Sequence, residues 1–398
     1  MNKKISLGAA IAFMVVVAGI TFCITMMVSF NHFNTKVYNV KSREEMYKKL
    51  ADVDRETRQN FNGTIDEETL LDSLSAGFIK GLGDKYSTYL TKDQYEQKLR
   101  DLSGKEVGIG ITSAKDESGY LKVKKVLKNS PAAESGIEVG DHIISLADTD
   151  LKTVSNENAQ RLMKGEVGTK IKLVYRRNGL DTPLDIIRTD ITIPTVEFKM
   201  IDTNAMIKIS SFDDLTHVQF ADTLDKAIKQ KATGIIFDLR NCTGDSISSV
   251  KSMLNTILPS GDIGTLISNT GKQSTIGTSD KFEINLPMAT IINSKTAGTA
   301  ELFAAALRDY NKANSVGTLT FGKGVLQTLI PLTDGSAINL TTSKFLPPSG
   351  EEINGIGIKP DYEVKLTTEL EQRFDELLDT EDPQLQKAIE VVNSKKAQ

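Results

Sequence analysis

The sequence predicts an α/β core preceded by a β-rich segment and, at the start of the chain, a transmembrane helix. Three observations predict this: an uncharged, mostly apolar run over residues 5–30, strand-like stretches between Gly104 and about Arg188, and strands alternating with helices from Ala205 onward. With 398 residues, 25% charged and 39% apolar, the chain is long enough for two or three domains with cores of their own.

Met1-Asn2-Lys3-Lys4 precedes the apolar run, which is long enough to cross the roughly 30 Å hydrocarbon core as a helix. Val28-Ser29-Phe30-Asn31 is a poor cleavage site, so an uncleaved signal anchor is expected rather than a removed signal peptide. Lys3 and Lys4 place the N-terminus in the cytoplasm and the remainder outside. Residues 40–60 carry Met46, Leu50 and Val53 at helical spacing. A second helix starts after Asp66, with Glu67 and Glu68 in its first turn, and runs through Leu70, Leu74 and Phe78 until the stretch Gly81 to Leu90 breaks it.

In the β-rich segment, strands are expected over 107–111, 120–126, 142–146, 170–175 and 184–187, with a short helix after Ser130-Pro131 and a second over 155–164 with Ser155 as N-cap. Beyond a linker around Pro194, the expected order is a strand over 205–210, a helix over 217–230 and a buried strand over 233–239. A Gly-containing turn, 238–245, then leads into a helix over 246–257. The apolar run at Ala289, the helical segment after Thr299, a strand over 337–345 and mostly charged helix over 366–392 complete the chain.

A net charge of −4, with acids and bases mixed throughout, gives no basic face for a phosphate backbone, so nucleic acid is excluded as a partner. Cys23 and Cys242 form no readable disulfide framework. His32, His142 and His217 lie in unrelated contexts, so no metal site and no cofactor are expected.

Several motifs carry a resemblance. Gly108-Ile109-Gly110-Ile111, Ser130-Pro131-Ala132-Ala133 and Gly140-Asp141-His142-Ile143-Ile144 resemble a bacterial PDZ domain, which implies an α+β, partly open β-barrel. Its glycine-rich loop holds a peptide's terminal carboxylate on backbone N–H groups while the ligand adds as a strand. Gly81 to Tyr89, Asp238-Leu239-Arg240, Ala300 to Tyr310, Phe321 to Gln327 and Gly355 to Asp361, in that order around the PDZ signature, resemble the S41 carboxyl-terminal processing peptidases. The resemblance implies an S41-type core with an inserted PDZ domain, flanking helices and an N-terminal anchor. Its parts are a tail over 1–4, an anchor over 5–30, a helical region over 40–103, the PDZ domain over 104–190, the core over 191–365 and C-terminal helices over 366–398.

In that family a serine at a helix start attacks the peptide carbonyl and a lysine takes its proton, which requires the lysine to be neutral. The resemblance assigns Lys323 as the base, Gln327 as its orienting partner, and Gly244 to the oxyanion turn. It assigns Gly108, Ile109, Gly110, Ile111 and Lys164 to peptide binding, with lysine at 164 where relatives usually carry arginine. Aligned through Ala297 and Glu301, Gly298 falls at the nucleophile, which leaves Lys323 no hydroxyl to deprotonate. Asp245 departs from the family's glycine-rich turn and brings a carboxylate toward the place where negative charge develops. Thr296 and Thr299 flank the gap, and Cys242 lies on the turn, as candidate stand-ins or simple packing residues.

The sequence therefore supports two functions. One is an anchored, extracytoplasmic homologue that binds flexible C-terminal tails of proteins with little or no hydrolysis. The other is an endopeptidase acting through a threonine, or one in which Gly298 is a replacement of serine. A homodimer is plausible by resemblance.

Overall fold

The computed structural model describes residues 7–280 and 283–396, so the expected cytoplasmic tail with Lys3 and Lys4 lies outside the described residues. The chain divides into two compact units, one ending at Leu71 and the other beginning at Asp72.

In the first unit a single helix spans Leu7–Asn60, joining the apolar run to the charged helix that the sequence reading kept apart. No proline, and after Gly19 no glycine, occurs before Gly63, so nothing in the covalent chain interrupts it. Its segment Ala12–Ser29 has mean hydropathy 2.3 and is exposed throughout, which is compatible with a single-pass anchor or a signal sequence.

The second unit is built on a six-stranded sheet in the order Val196–Ile201, Asn204–Ile209, Gly234–Asp238, Met288–Ile292, Ala313–Gly317, Tyr362–Glu363. The first pair is antiparallel and the rest are parallel. Gly234–Asp238 and Met288–Ile292 are buried at every position, as expected of central parallel strands covered on both faces. Ile235 and Phe237 point into the main core with Phe220 and Phe303, whereas Ile236 points to the opposite face, where Leu385, Ala388 and Val392 of helix Pro383–Lys396 cover it. Helix Thr299–Asp309 is buried from Thr299 through Leu307, and its Ala304-Ala305-Ala306 run lets it lie inside the core.

A five-stranded antiparallel sheet adds Thr88–Leu90, Ala337–Leu346, Gly261–Ser268 and Gln273–Ser279 in that order, with Val325–Pro331 also paired to Ala337–Leu346. Four of these strands, 88–90, 261–268, 273–279 and 325–331, are absent from the sequence reading. Their burial is mixed rather than cleanly alternating, and the last begins at Val325, just after the glycine-flanked Lys323.

The β-rich insert is a sheet ordered Ile111–Lys115, Leu121–Val126, His142–Leu146, Lys170–Arg177, Leu180–Ile187, with Ile111–Lys115 at an edge, and helix Asn156–Met163 capped by Ser155. The strand expected over 107–111 is two strands. Lys105–Gly108 pairs with Thr189–Thr192, the chain breaks at Ile109 and Gly110, and pairing resumes at Ile111. The break has a cause: Gly110 has φ +83°, and the carbonyls of Ile109 and Gly110 are taken by the N–H groups of Ala132 and Leu127. The expected strand over 184–187 starts earlier, at Leu180, because Asn178 and Gly179, both at positive φ, make a tight hairpin turn.

The charged helix expected over 366–392 is also interrupted. Thr368–Gln372 and a 3-10 turn, Phe374–Glu376, precede Pro383–Lys396, whose start is fixed by Asp382 accepting from the N–H groups of Gln384 and Leu385. Asp382 and Asp238 both pair with the buried Arg240, at 2.7 and 2.6 Å, and so fasten this helix to the end of the central strand. Arg240→Ala leaves two buried carboxylates without their counter-charge. Urea unfolding of this variant is expected to show a loss of about 3–5 kcal/mol.

Candidate active site

The motifs meet around one buried carboxylate. Glu301, in the first turn of helix Thr299–Asp309, is fully buried and accepts from Gly298 N–H (3.1 Å), Gly322 N–H (2.8 Å), Lys323 N–H (2.8 Å) and the Thr320 hydroxyl (2.5 Å). Burial pushes this carboxyl above its ordinary range, against the four donors, which favour the ionised form. The glycine-rich loop around Lys323 is thereby held to the helix start. The Gly355 to Asp361 segment closes on the same loop: Ile358 N–H donates to Thr320 Oγ1 and Gly355 N–H to the Gly322 carbonyl.

Gly298 and Lys323 are brought together. A Cβ built on Gly298 would lie 3.7 Å from Lys323 Cδ, so the vacant side-chain direction faces the lysine stem. That Cβ would also lie 2.7 Å from the Gly244 carbonyl oxygen, and Gly298 has φ +68°. A side chain here is both strained and blocked. Gly244 itself pairs beside Phe212, where a Cβ would come within 2.6 Å of the Phe212 nitrogen, so this turn position requires glycine. With its carbonyl aimed at position 298, the trans Gly244–Asp245 peptide turns its N–H away from that position.

Asp245 does more than oppose charge. Its carboxylate holds Lys323 Nζ at 2.6 Å and Lys98 Nζ at 3.0 Å. Burial pushes the Asp245 carboxyl up, but the ammoniums of Lys323 and Lys98 outweigh burial and hold it below the usual carboxylate range. An ammonium that donates to a carboxylate is not set to take a proton from a hydroxyl. The expected orienting role of Gln327 is corrected accordingly: its amide donates to Thr341 Oγ1 (3.0 Å), and the partner of Lys323 is Asp245. Thr341 in turn donates to Asp84, which also accepts from Ser87. This network pins the Gly81 to Tyr89 motif to strand Ala337–Leu346 and sets the Tyr86 ring 5.6 Å from Lys323 Nζ.

Tyr86, Lys98, Phe212, Asp245, Phe321 and Lys323 are among the residues lining a cleft of about 570 Å³. Cys242 sits in the core with no exposed surface, and burial, with the charge of Asp238, pushes its thiol well up, so it is packing and not a nucleophile. Thr296 spends its hydroxyl on the Leu239 carbonyl at 2.8 Å. The Thr299 hydroxyl is buried and has no partner among the described residues.

In the β-rich insert, Gly108, Ile109, Gly110, Ile111 and Lys164 line one groove of about 190 Å³. The N–H groups of Ile109 and Gly110 donate to nothing among the described residues. Lys164, at the end of helix Asn156–Met163, pairs with Glu106 at 2.7 Å. His142 pairs with Asp116 at 2.7 Å, on residues outside that groove.

Known proteins resemble this chain in sequence. The model of peptidase family S41 matches residues 203–364, and that of the PDZ domain residues 97–176. The carboxy-terminal processing protease CtpA of Bacillus subtilis is 29% identical over 92% of this chain and 78% of its own length. A probable CtpA-like serine protease of Staphylococcus aureus is 30% identical over 87% of this chain and 70% of its own. The chain belongs to the S41 family of carboxy-terminal processing peptidases. A solved photosystem II D1 C-terminal processing protease is 23% identical, covers 78% of this chain and 86% of that one, and superposes with a TM-score of 0.47.

Two residues of the S41 site escaped the sequence reading. Lys98 sits on helix Lys92–Ser103, whose signal was present as the capping box Thr91-x-x-Gln94. Glu301 entered only as an alignment anchor, since nothing in the sequence marks a glutamate in an apolar helix as the acceptor for a distant loop.

Glu301→Gln turns an amide NH2 toward groups that are themselves donors. Thermal unfolding is expected to show a loss of about 1–3 kcal/mol. Asp245→Asn removes the shared anion, at a cost of about 2 kcal/mol at neutral pH. Because the folded-state value of Asp245 is depressed, wild type's advantage is present above the unfolded carboxylate value of about 3.9 and disappears as pH falls through the lower folded value. Unfolding midpoints of the two proteins, measured from neutral to acidic pH, are expected to converge only below about pH 4.

Proposed function

We propose that this S41 homologue captures the C-terminal tails of other polypeptides and hydrolyses them little or not at all. Gly298 carries the reading: the position facing Lys323 has no side-chain oxygen, and the lysine that would serve as base is held by Asp245. Loss of the nucleophile from such a catalytic unit typically costs about six powers of ten in rate. The groove at Gly108 to Ile111, with two unspent N–H groups beside Lys164, supports recognition of a free carboxylate. The names of the relatives, which describe carboxy-terminal processing, support tails as the ligand class. In this reading the apolar helix is a single-pass anchor, with the N-terminus cytoplasmic and the bulk of the chain extracytoplasmic.

A second reading, hydrolysis through Thr299, is favoured by one observation, its buried and unpartnered hydroxyl. Incubation of the full chain with an unstructured polypeptide ending in an apolar residue separates the two. No cleavage above background is expected. Gly298→Ser alone is also expected to stay near background, because its Cβ meets the Gly244 carbonyl and Asp245 still holds Lys323; pairing it with Asp245→Gly is the combination expected to gain turnover. Specific cleavage by the unaltered chain that is lost in both Lys323→Ala and Thr299→Val would overturn the binding reading.

A further inference from the structure

Strand Ile111–Lys115 is the edge of its sheet, and the face next to helix Asn156–Met163 is where an added strand would pair. One group on that edge is already occupied. Gln160, on the helix, donates its amide to the Ser113 carbonyl at 2.8 Å and approaches Ser113 Oγ at 3.4 Å. Lys115 ties the same edge to the carbonyls of Leu151 and Val154, just before the helix.

The bond from Gln160 fixes which backbone groups face outward. In an antiparallel ladder, alternate residues direct both their N–H and C=O to one side. If Ser113 faces the helix, so does Ile111, whereas Gly110 turns its carbonyl to Leu127 on the neighbouring-strand side. A carboxylate received at Ile109 and Gly110, at the start of the strand, requires the tail to run antiparallel to it. The last tail residue then lies against Ile111 and the third from the end against Ser113. The acceptor that this third residue's N–H needs is the carbonyl that Gln160 holds.

We propose that Gln160 is an internal competitor for strand addition: its side chain stands in for the third-from-last amide of a C-terminal tail and sets how far along the edge a tail is read. This rests on the tail-binding reading above. With Gln160 in place, a tail pairs at Ile111 and stops. Longer pairing requires the amide to leave Ser113, exchanging one hydrogen bond for another with no net gain in number. Replacing Gln160 by leucine keeps the bulk and removes the competitor, so the ladder bond is gained without an exchange.

The test uses the full-length chain in mild detergent and four hexapeptide titrations by calorimetry or fluorescence anisotropy. The peptides are a free acid ending in an aliphatic residue, its C-terminal amide, and a free acid in which the third-from-last amide is an ester, lacking that N–H. Wild type and Gln160→Leu are each titrated with the acid and with the ester, which makes the four, and the amide titrated into wild type serves as control. The free acid is expected to bind Gln160→Leu about fivefold more tightly than wild type, the worth of one ladder hydrogen bond, and the ester is expected to show no such gain. If wild type binds the acid over the amide and Gln160→Leu binds it equally or more weakly, or if the ester gains as much as the amide-linked peptide, the role of Gln160 is overturned while tail binding stands. If only Gln160→Leu binds the acid, the competitor stands and the unaltered chain is not a tail binder. If neither binds, both readings fall.

Discussion

The site depends on a single buried carboxylate. Glu301 has no solvent to satisfy it, so it takes its partners from two places far apart in sequence, the start of its own helix and the loop from Thr320 to Lys323. A buried charge with several donors holds those donors in fixed relation, because losing any one exposes the anion to an apolar surround. The juxtaposition of Gly298 with Lys323 follows from that constraint and not from any contact between the two residues. This explains how the loop and the helix start are held together around a glycine.

Asp245 adds a second anion to the same region with the opposite consequence. It sits on the turn beside Gly244 and binds two lysines, one from the loop and one from helix Lys92–Ser103. Where a reacting centre would need donors, the turn offers a carbonyl and a carboxylate, and where it would need a proton acceptor, the loop offers an ammonium already engaged. Each feature is unfavourable for acyl transfer, and the pairs of Asp245 with the two lysines are contacts that tie the folded chain together.

The fold was largely legible because its central strands are continuous apolar runs and its helices carry recognisable caps, as at Ser155 and Ser246. The strands at 261–268 and 273–279 were not, because their faces are only partly buried and their order comes from pairing with each other and, for 261–268, with Ala337–Leu346, rather than from local pattern. The break at Ile109 and Gly110 was invisible for a related reason, since the groups that claim those two carbonyls come from residues 127 and 132. Within the site, the positions of Gly298, Lys323 and Gly244 followed from motif order. The partner of Lys323 did not: Asp245 and Lys323 lie 78 residues apart, and nothing in either sequence context shows that they touch.

The left-handed backbone at Gly298 bears on reversibility. Any other residue at φ +68° carries strain of about 1–3 kcal/mol, which a catalytic position bears in return for activity. Glycine removes the strain together with the side chain. The Gly244 carbonyl occupies part of the space that a side chain at 298 would fill. A serine placed here has both to carry that strain and to push the Gly244 peptide outward. The two costs fall on the same substitution, so a side chain at 298 meets more opposition than either the backbone or the neighbouring turn would impose alone.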